Sequence, residues 1–219
     1  MSLLELGYKV FISYLAGSLN GALLVGLLYG GIDIRTQGSG NAGGTNALRT
    51  QGKLFASLVM FVDIGKGVLP VLLLPSLSIS FVDTETALSR EWLTYACGGA
   101  AIFGHCYPVW FEFQGGKGAA TMIGVLAIIW PPALIPASLT WLSTLFIFGD
   151  VGLATVVAGF SIPAYVMFVD GGSQLNLFIF VLLVACFVAF THRSNLREFV
   201  TGKSLPDIRS SLLGRFRRQ

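Results

Sequence analysis

Of the 219 residues only 11% are charged and 54% are hydrophobic, and the mean hydropathy is +0.75. Soluble domains carry about 25% charged residues, so the composition excludes an ordinary soluble domain and points to an integral membrane protein. The formal net charge is +3, and no nucleic acid is expected as a partner.

Along the chain, apolar stretches lie at roughly 8–30, 54–75, 92–112, 118–131, 133–148, 152–169 and 175–191. A helical span takes about 20 residues, with a range near 17–25. The opening MSLLELGYKV has no basic start and no cleavage site, so it does not read as a signal peptide. The stretch 118–148 is long for one helix and short for two, and Trp130-Pro131-Pro132 breaks it into a hairpin of short helices. This gives an all-α membrane protein of about seven transmembrane helices, or five if the short pairs merge. There is no internal repeat, and residues 1–219 read as a single membrane-embedded domain with a basic tail, 192–219. The 27 glycines suit close helix packing in lipid. Cys97, Cys106 and Cys186 fall in apolar segments and read as small hydrophobic residues, with no metal site indicated.

Loop charge sets the orientation. Residues 31–53 balance at +2, 76–91 at −2 and the tail from 192 at +5. Basic loops stay in the cytoplasm. The N-terminus is therefore expected outside and the C-terminus inside. Loops 31–53, 113–117 and 149–151 then share the cytoplasmic face with the tail.

Three polar elements crowd that face. The first, QGSGNAGGTNALRTQGK at 37–53, contains a G-x-G-x-x-G match, but the fingerprint needs a soluble βαβ unit, and here the glycines follow a membrane helix. No Walker A spacing is present either. What remains is anion chemistry. Glycines such as Gly40 can turn backbone N–H groups inward as a nest. Ser39, Asn41, Thr45 and Asn46 can add hydrogen bonds, and Arg49 a bidentate charge. The second element, FGHCYPVWFEFQGGKGAAT at 103–121, sets Gly115, Gly116 and Lys117 ahead of an apolar helix, whose N-terminus attracts phosphate. The third, THRSNLREFVTGK at 191–203, brings His192, Arg193 and Asn195. His105 reads equally as a ligand or as a packed interhelical hydrogen bond. Asp63 and Lys66 lie three apart and can pair, as a functional group or as a brace. Three anion-binding elements on one face suggest more than one phosphate, held beside lipid.

GSGNAGGTNALRTQGK, DIGKG at 63–67, GHCYPVWFEFQGGKGAAT at 104–121 and HRSNL at 192–196 resemble the bacterial acyl-phosphate:glycerol-3-phosphate acyltransferases (the PlsY type) in order and spacing along almost the whole chain. The resemblance implies a seven-helix enzyme of the bacterial inner membrane with its active site on the cytoplasmic face. It implies transfer of a fatty acyl group from acyl phosphate to the 1-hydroxyl of glycerol 3-phosphate, giving lysophosphatidic acid and phosphate without a cofactor. Ser39, Arg49 and Lys117 would hold phosphate groups, and His192 and Asn195 would complete the site. His192, Lys117 and Asn195 are thus the candidate catalytic set. The enzyme that forms acyl phosphate is the implied protein partner.

The chain departs from the family pattern at Ala42 (usually proline), Gln114 (lysine), Ser204 (glutamate) and Gly152 (serine). Thr155 lies one helical turn beyond Gly152, and its hydroxyl is expected to replace the missing one at the phosphate site. A paralogue with an altered donor is one rival reading. Another is a transporter or scaffold for anionic metabolites, supported by Asp63 and Lys66 but lacking an inverted repeat.

Overall fold

The computed structural model describes residues 3–77 and 89–203. Most of the acidic loop and the tail from Ser204 lie outside the described residues. The chain divides into two compact units, Met1–Pro131 and Pro132–Gln219.

The first unit contains α1 (Leu3–Gly17), α2 (Gly21–Leu28), α3 (Gly44–Gln51), α4 (Lys53–Leu73), α5 (Arg90–Cys106) and α6 (Ala119–Ile129). The apolar stretch expected as one helix at 8–30 is broken at residues 18–20, and α1 and α2 meet at 49°. Asn20 causes the restart: it takes an extended conformation and its side chain caps α2 by accepting from the Leu23 N–H. The glycine-rich segment also contains more structure than its composition suggested, since α3 forms inside it. Gly52, with φ +88°, turns the chain sharply from α3 into α4. Helix α5 ends at Cys106, two residues before Pro108, with Tyr107 outside the helical region at φ −126° and ψ 67°.

Helix α4 is the centre of this unit and packs on α1, α2, α3, α5 and α6. Its crossing with α6 is close enough to exclude side chains. A Cβ on Gly124 would lie 3.0 Å from the Ile64 carbonyl carbon and nearer still to its oxygen. A Cβ on Gly67 would meet the Thr121 carbonyl in the same way. Small residues at such crossings let backbones pack where lipid offers no hydrophobic drive.

The second unit contains α7 (Leu134–Phe148), α8 (Val151–Asp170), α9 (Leu175–Thr191) and α10 (Arg193–Val200). Helix α8 packs between α7 and α9, and α10 folds back on α8 and α9. The expected break at Trp130-Pro131-Pro132 is present, followed by a one-turn 3-10 piece, Pro131–Ala133. Cys97 and Cys106 are buried as expected, whereas Cys186 is exposed on α9.

All regular structure among the described residues is helical. Three segments, Lys53–Leu73, Pro131–Phe148 and Val151–Val169, are long and apolar enough to cross a bilayer. Counting each of the bent pairs α1–α2 and α9–α10 as one span raises this to five. Helix α5 has 17 residues and α6 only 11.

Gly124→Ala tests the α4–α6 crossing. The added methyl should force the helices apart at a cost of about 1–3 kcal/mol, visible as a lower Tm in detergent. An unchanged Tm would show that these backbones do not touch.

Candidate active site

The two glycine-rich elements of the first unit meet over the end of α5. Asn20 donates to the Ala42 carbonyl (3.2 Å), tying the first loop to the α1–α2 break. Across the junction, Gly116 donates to the His105 carbonyl (3.1 Å) and Gly115 to that of Cys106 (3.2 Å). A Cβ on Gly116 would come within 2.8 Å of the Ala42 oxygen and of His105 Cε1, and closer to His105 Nε2. Only glycine fits there. Arg35 ties the two elements a second time: it donates to the Phe111 carbonyl (3.2 Å) while its Nη2 lies 2.8 Å from Asp33. The hydrogen bonds from Arg35 hold the Asp33 carboxyl below the usual carboxylate range.

Asn46, 1% exposed, organises the first loop from inside. Its carboxamide nitrogen lies 3.2, 2.9 and 3.1 Å from the carbonyls of Ile34, Gln37 and Asn41, and its oxygen accepts from the Ser39 N–H (3.0 Å). Gly40 donates to Gln37 and Gly43 to Asn41 (both 3.0 Å). The nest expected from the glycines is therefore largely closed on itself. The N–H groups of Gly40, Gly115 and Gly116 and the side chain of Asn46 are engaged in hydrogen bonds that shape the loops. Neither α3, entered from Gly43, nor α6, entered from Gly118, has a side-chain cap, so their first-turn N–H groups and dipoles point at the loops. Ser39, Thr45 and Arg49 are exposed around the first start, with Asn41 partly exposed, and Lys117 sits partly exposed at the second.

Beneath this junction Asp63 is fully buried. Its Oδ1 lies 2.8 Å from Lys66 Nζ and 3.3 Å from His105 Nδ1, and accepts from the Gly21 N–H at 2.9 Å. His105 is 3% exposed, so it lies under the loop and not on an open surface.

In the second unit, His192 closes α9. Its Nδ1 lies 2.8 Å from the Val188 carbonyl, which can only accept, so the neutral ring carries its proton on Nδ1 and its lone pair on Nε2. Arg193 folds back, donating to the Phe190 carbonyl (2.9 Å) with its guanidinium over the Phe190 ring. The Thr155 hydroxyl, expected to replace the missing one, is engaged within this unit. It donates to the Val151 carbonyl (2.8 Å) and accepts from Trp141 Nε1 (3.2 Å), which spends its only hydrogen. The space over Gly152 is filled instead by Asn195, whose Cβ would be 2.5 Å from a Cβ at 152.

The sequence profile of the glycerol-3-phosphate acyltransferase family matches residues 8–202, across both units. The chain belongs to this family. Similar glycerol-3-phosphate acyltransferases occur in Zymomonas mobilis subsp. mobilis (36% identical over 206 residues, covering 93% of this chain and 96% of the relative). Another, from Pseudomonas syringae pv. syringae, is 37% identical over 191 residues, covering 87% and 92%. The fold is similar to crystal structures of PlsY (YgiH), an integral membrane glycerol 3-phosphate acyltransferase, at 30% identity. The glycerol 3-phosphate form gives a TM-score of 0.81 over 95% of this chain and 98% of that one. The lysophosphatidic acid form gives 0.77 over 92% and 94%. The acyltransferase class expected from the motifs is the class found, and the chain is a membrane protein.

Sequence reasoning gave no role to Asn20 and counted Asp33 and Arg35 only as loop charges, whereas all three build this acyltransferase's loops. Asn20 carried a readable signal, a capping residue directly before an apolar run. The Arg35 contact with Phe111 spans 76 positions and has no local signature.

Gly152→Ser should impair this acyltransferase. The new Cβ collides with Asn195 Cβ, a part of the side chain that cannot swing away, so α8 and α10 must separate. The expected outcome is a lower Tm and reduced turnover, alone and combined with Thr155→Val. Gain of activity on adding the serine would show that position 152 has room for a hydroxyl.

Proposed function

We propose that the chain transfers a fatty acyl group from acyl phosphate to the 1-hydroxyl of glycerol 3-phosphate, releasing lysophosphatidic acid and inorganic phosphate. One observation carries this reading: two glycine-rich loops converge at Ala42 and Gly116, and each leads into a helix start without a side-chain cap. Two phosphoryl groups take part in each turnover, one on each substrate. A helix start flanked by a cation suits each of them. Arg49 supplies a forked charge and Lys117 a point charge. Ser39, Asn41 and Thr45 add hydrogen bonds around the first.

Acyl phosphate is a mixed anhydride and carries its own activation. The glycerol 3-phosphate hydroxyl oxygen attacks the acyl carbon, the bond from that carbon to the phosphate oxygen breaks, and phosphate leaves with the electron pair. The enzyme supplies orientation and charge stabilisation. We assign the hydroxyl proton to His192 Nε2, whose lone pair is fixed there by the Nδ1 hydrogen bond, and a polar supporting role to Asn195. The apolar stretches support about seven crossings of a bacterial inner membrane, and the loop charges support an N-terminus outside with residues 37–53, 113–117 and 192–219 in the cytoplasm. An enzyme forming acyl phosphate at the same membrane would be the natural supplier of the donor.

Purified protein in detergent should form lysophosphatidic acid from palmitoyl phosphate and glycerol 3-phosphate. Product from palmitoyl-CoA but not palmitoyl phosphate would reject the donor, and no product from either would favour transport. Lys117→Ala should lower turnover on the order of 10²–10³-fold while the protein inserts and purifies normally; near-normal activity would leave Lys117 as a topology charge. Single cysteines at position 45 and in the 76–91 loop should label from opposite sides of the membrane, and labelling of both from outside would overturn the cytoplasmic placement.

A further inference from the structure

The Asp63–Lys66–His105 cluster is more than an ion pair within one helix. Asp63 Oδ1 gathers groups from three places at once. Lys66 Nζ comes from its own helix at 2.8 Å, the Gly21 N–H from the start of α2 at 2.9 Å, and His105 Nδ1 from α5 at 3.3 Å. Lys66 also donates to the Leu19 carbonyl (3.1 Å), within the α1–α2 break. The two charged groups therefore pin both sides of that break to α4. Asp63 Oδ2 and His105 Nδ1 are buried without an aligned hydrogen bond, so orientation of the ring rests on the facing carboxylate and on packing.

The opposite edge of the same ring supports Gly116. The His105 carbonyl accepts the Gly116 N–H, and Nε2 and Cε1 occupy the space that any side chain at 116 would need. Lys117 follows at once, then α6, which closes back on α4 through Gly124 against Ile64 and Gly67 against Thr121. The chain of contacts is a ring: α4, Asp63, His105, Gly116, Lys117, α6 and α4 again. These contacts form a continuous path from Asp63 to Lys117.

We propose that Asp63 and Lys66 are positioning residues for acyl transfer, acting through His105 to set where Gly116 and Lys117 stand; this rests on the function proposed above. An ionised carboxylate facing Nδ1 selects the tautomer protonated there and leaves Nε2 unprotonated against Gly116. An apolar cluster of the same volume would pack as well, but it could not orient the ring.

Two variants and two readouts test this. Removing one charge alone would strand the other and could prevent folding, so Asp63→Asn/Lys66→Met removes both. His105→Phe keeps ring volume and leaves the ion pair intact. Each variant should purify as a monodisperse species with a Tm close to that of the wild type. Each should lose at least about tenfold in kcat for palmitoyl phosphate and glycerol 3-phosphate, while KM for glycerol 3-phosphate moves less than threefold. Amide exchange at Gly115 and Gly116, which needs no substrate, should accelerate at least tenfold. A folded His105→Phe or double variant with wild-type kcat, or with wild-type exchange at these amides, overturns the proposal. Failure of the wild type itself to form lysophosphatidic acid would reject the acyltransfer reading. The exchange measurement would then still decide whether the cluster positions the loop.

Discussion

An ionised carboxylate removed from water must be paired and hydrogen-bonded, and leaving one member of a buried pair alone costs about 3–5 kcal/mol. Asp63, with none of its surface exposed, imposes that condition on the first unit. Its partners cannot all come from α4. Lys66 can, but the Gly21 N–H requires a helix start nearby, and a helix start in the middle of an apolar stretch requires the chain to break. The break at residues 18–20 is therefore part of how the carboxylate is satisfied. Asn20 serves both ends of this arrangement: its oxygen caps α2, and its nitrogen reaches out to the Ala42 carbonyl of the glycine-rich loop.

From this buried pair the structure builds outward to the two glycine-rich loops. The loops are dense in hydrogen bonds because their backbone groups are packed away from water, where a polar group without a partner is costly. Their glycines allow the close approach of Gly116 to His105 and Ala42, and they deliver the chain into α3 and α6. The first-turn N–H groups of α3 and α6, which have no side-chain cap, have a defined direction set by their helices.

The second unit shows the same economy on a smaller scale. The carbonyl of Val188 fixes the His192 proton on Nδ1, and the Thr155 hydroxyl bonds its own helix and Trp141. Glycine at 152 and asparagine at 195 form a complementary pair in which the smaller residue makes room for the larger. A serine at 152 and this Asn195 placement could not coexist without movement of α8 or α10.

The amino-acid sequence by itself determined the class, the family and the helices with strong apolar runs. Those rest on local properties: composition, a continuous run such as 175–191, or a proline pair at 131–132. It also marked both glycine-rich elements and His192 as chemically distinct. Tertiary structure alone decided what each polar atom does. The N–H groups of Gly40 and Gly116 and the carboxamide of Asn46 looked available because a sequence does not show where hydrogen bonds end, and in the fold they end on neighbouring backbone. Thr155 looked like a spare hydroxyl for the same reason. The joining of Asp63 to Gly21 and His105, across 42 residues in each direction, depends on helices brought together by packing. Spacing along the chain holds no record of such meetings, because they are set by which helix faces fit against one another.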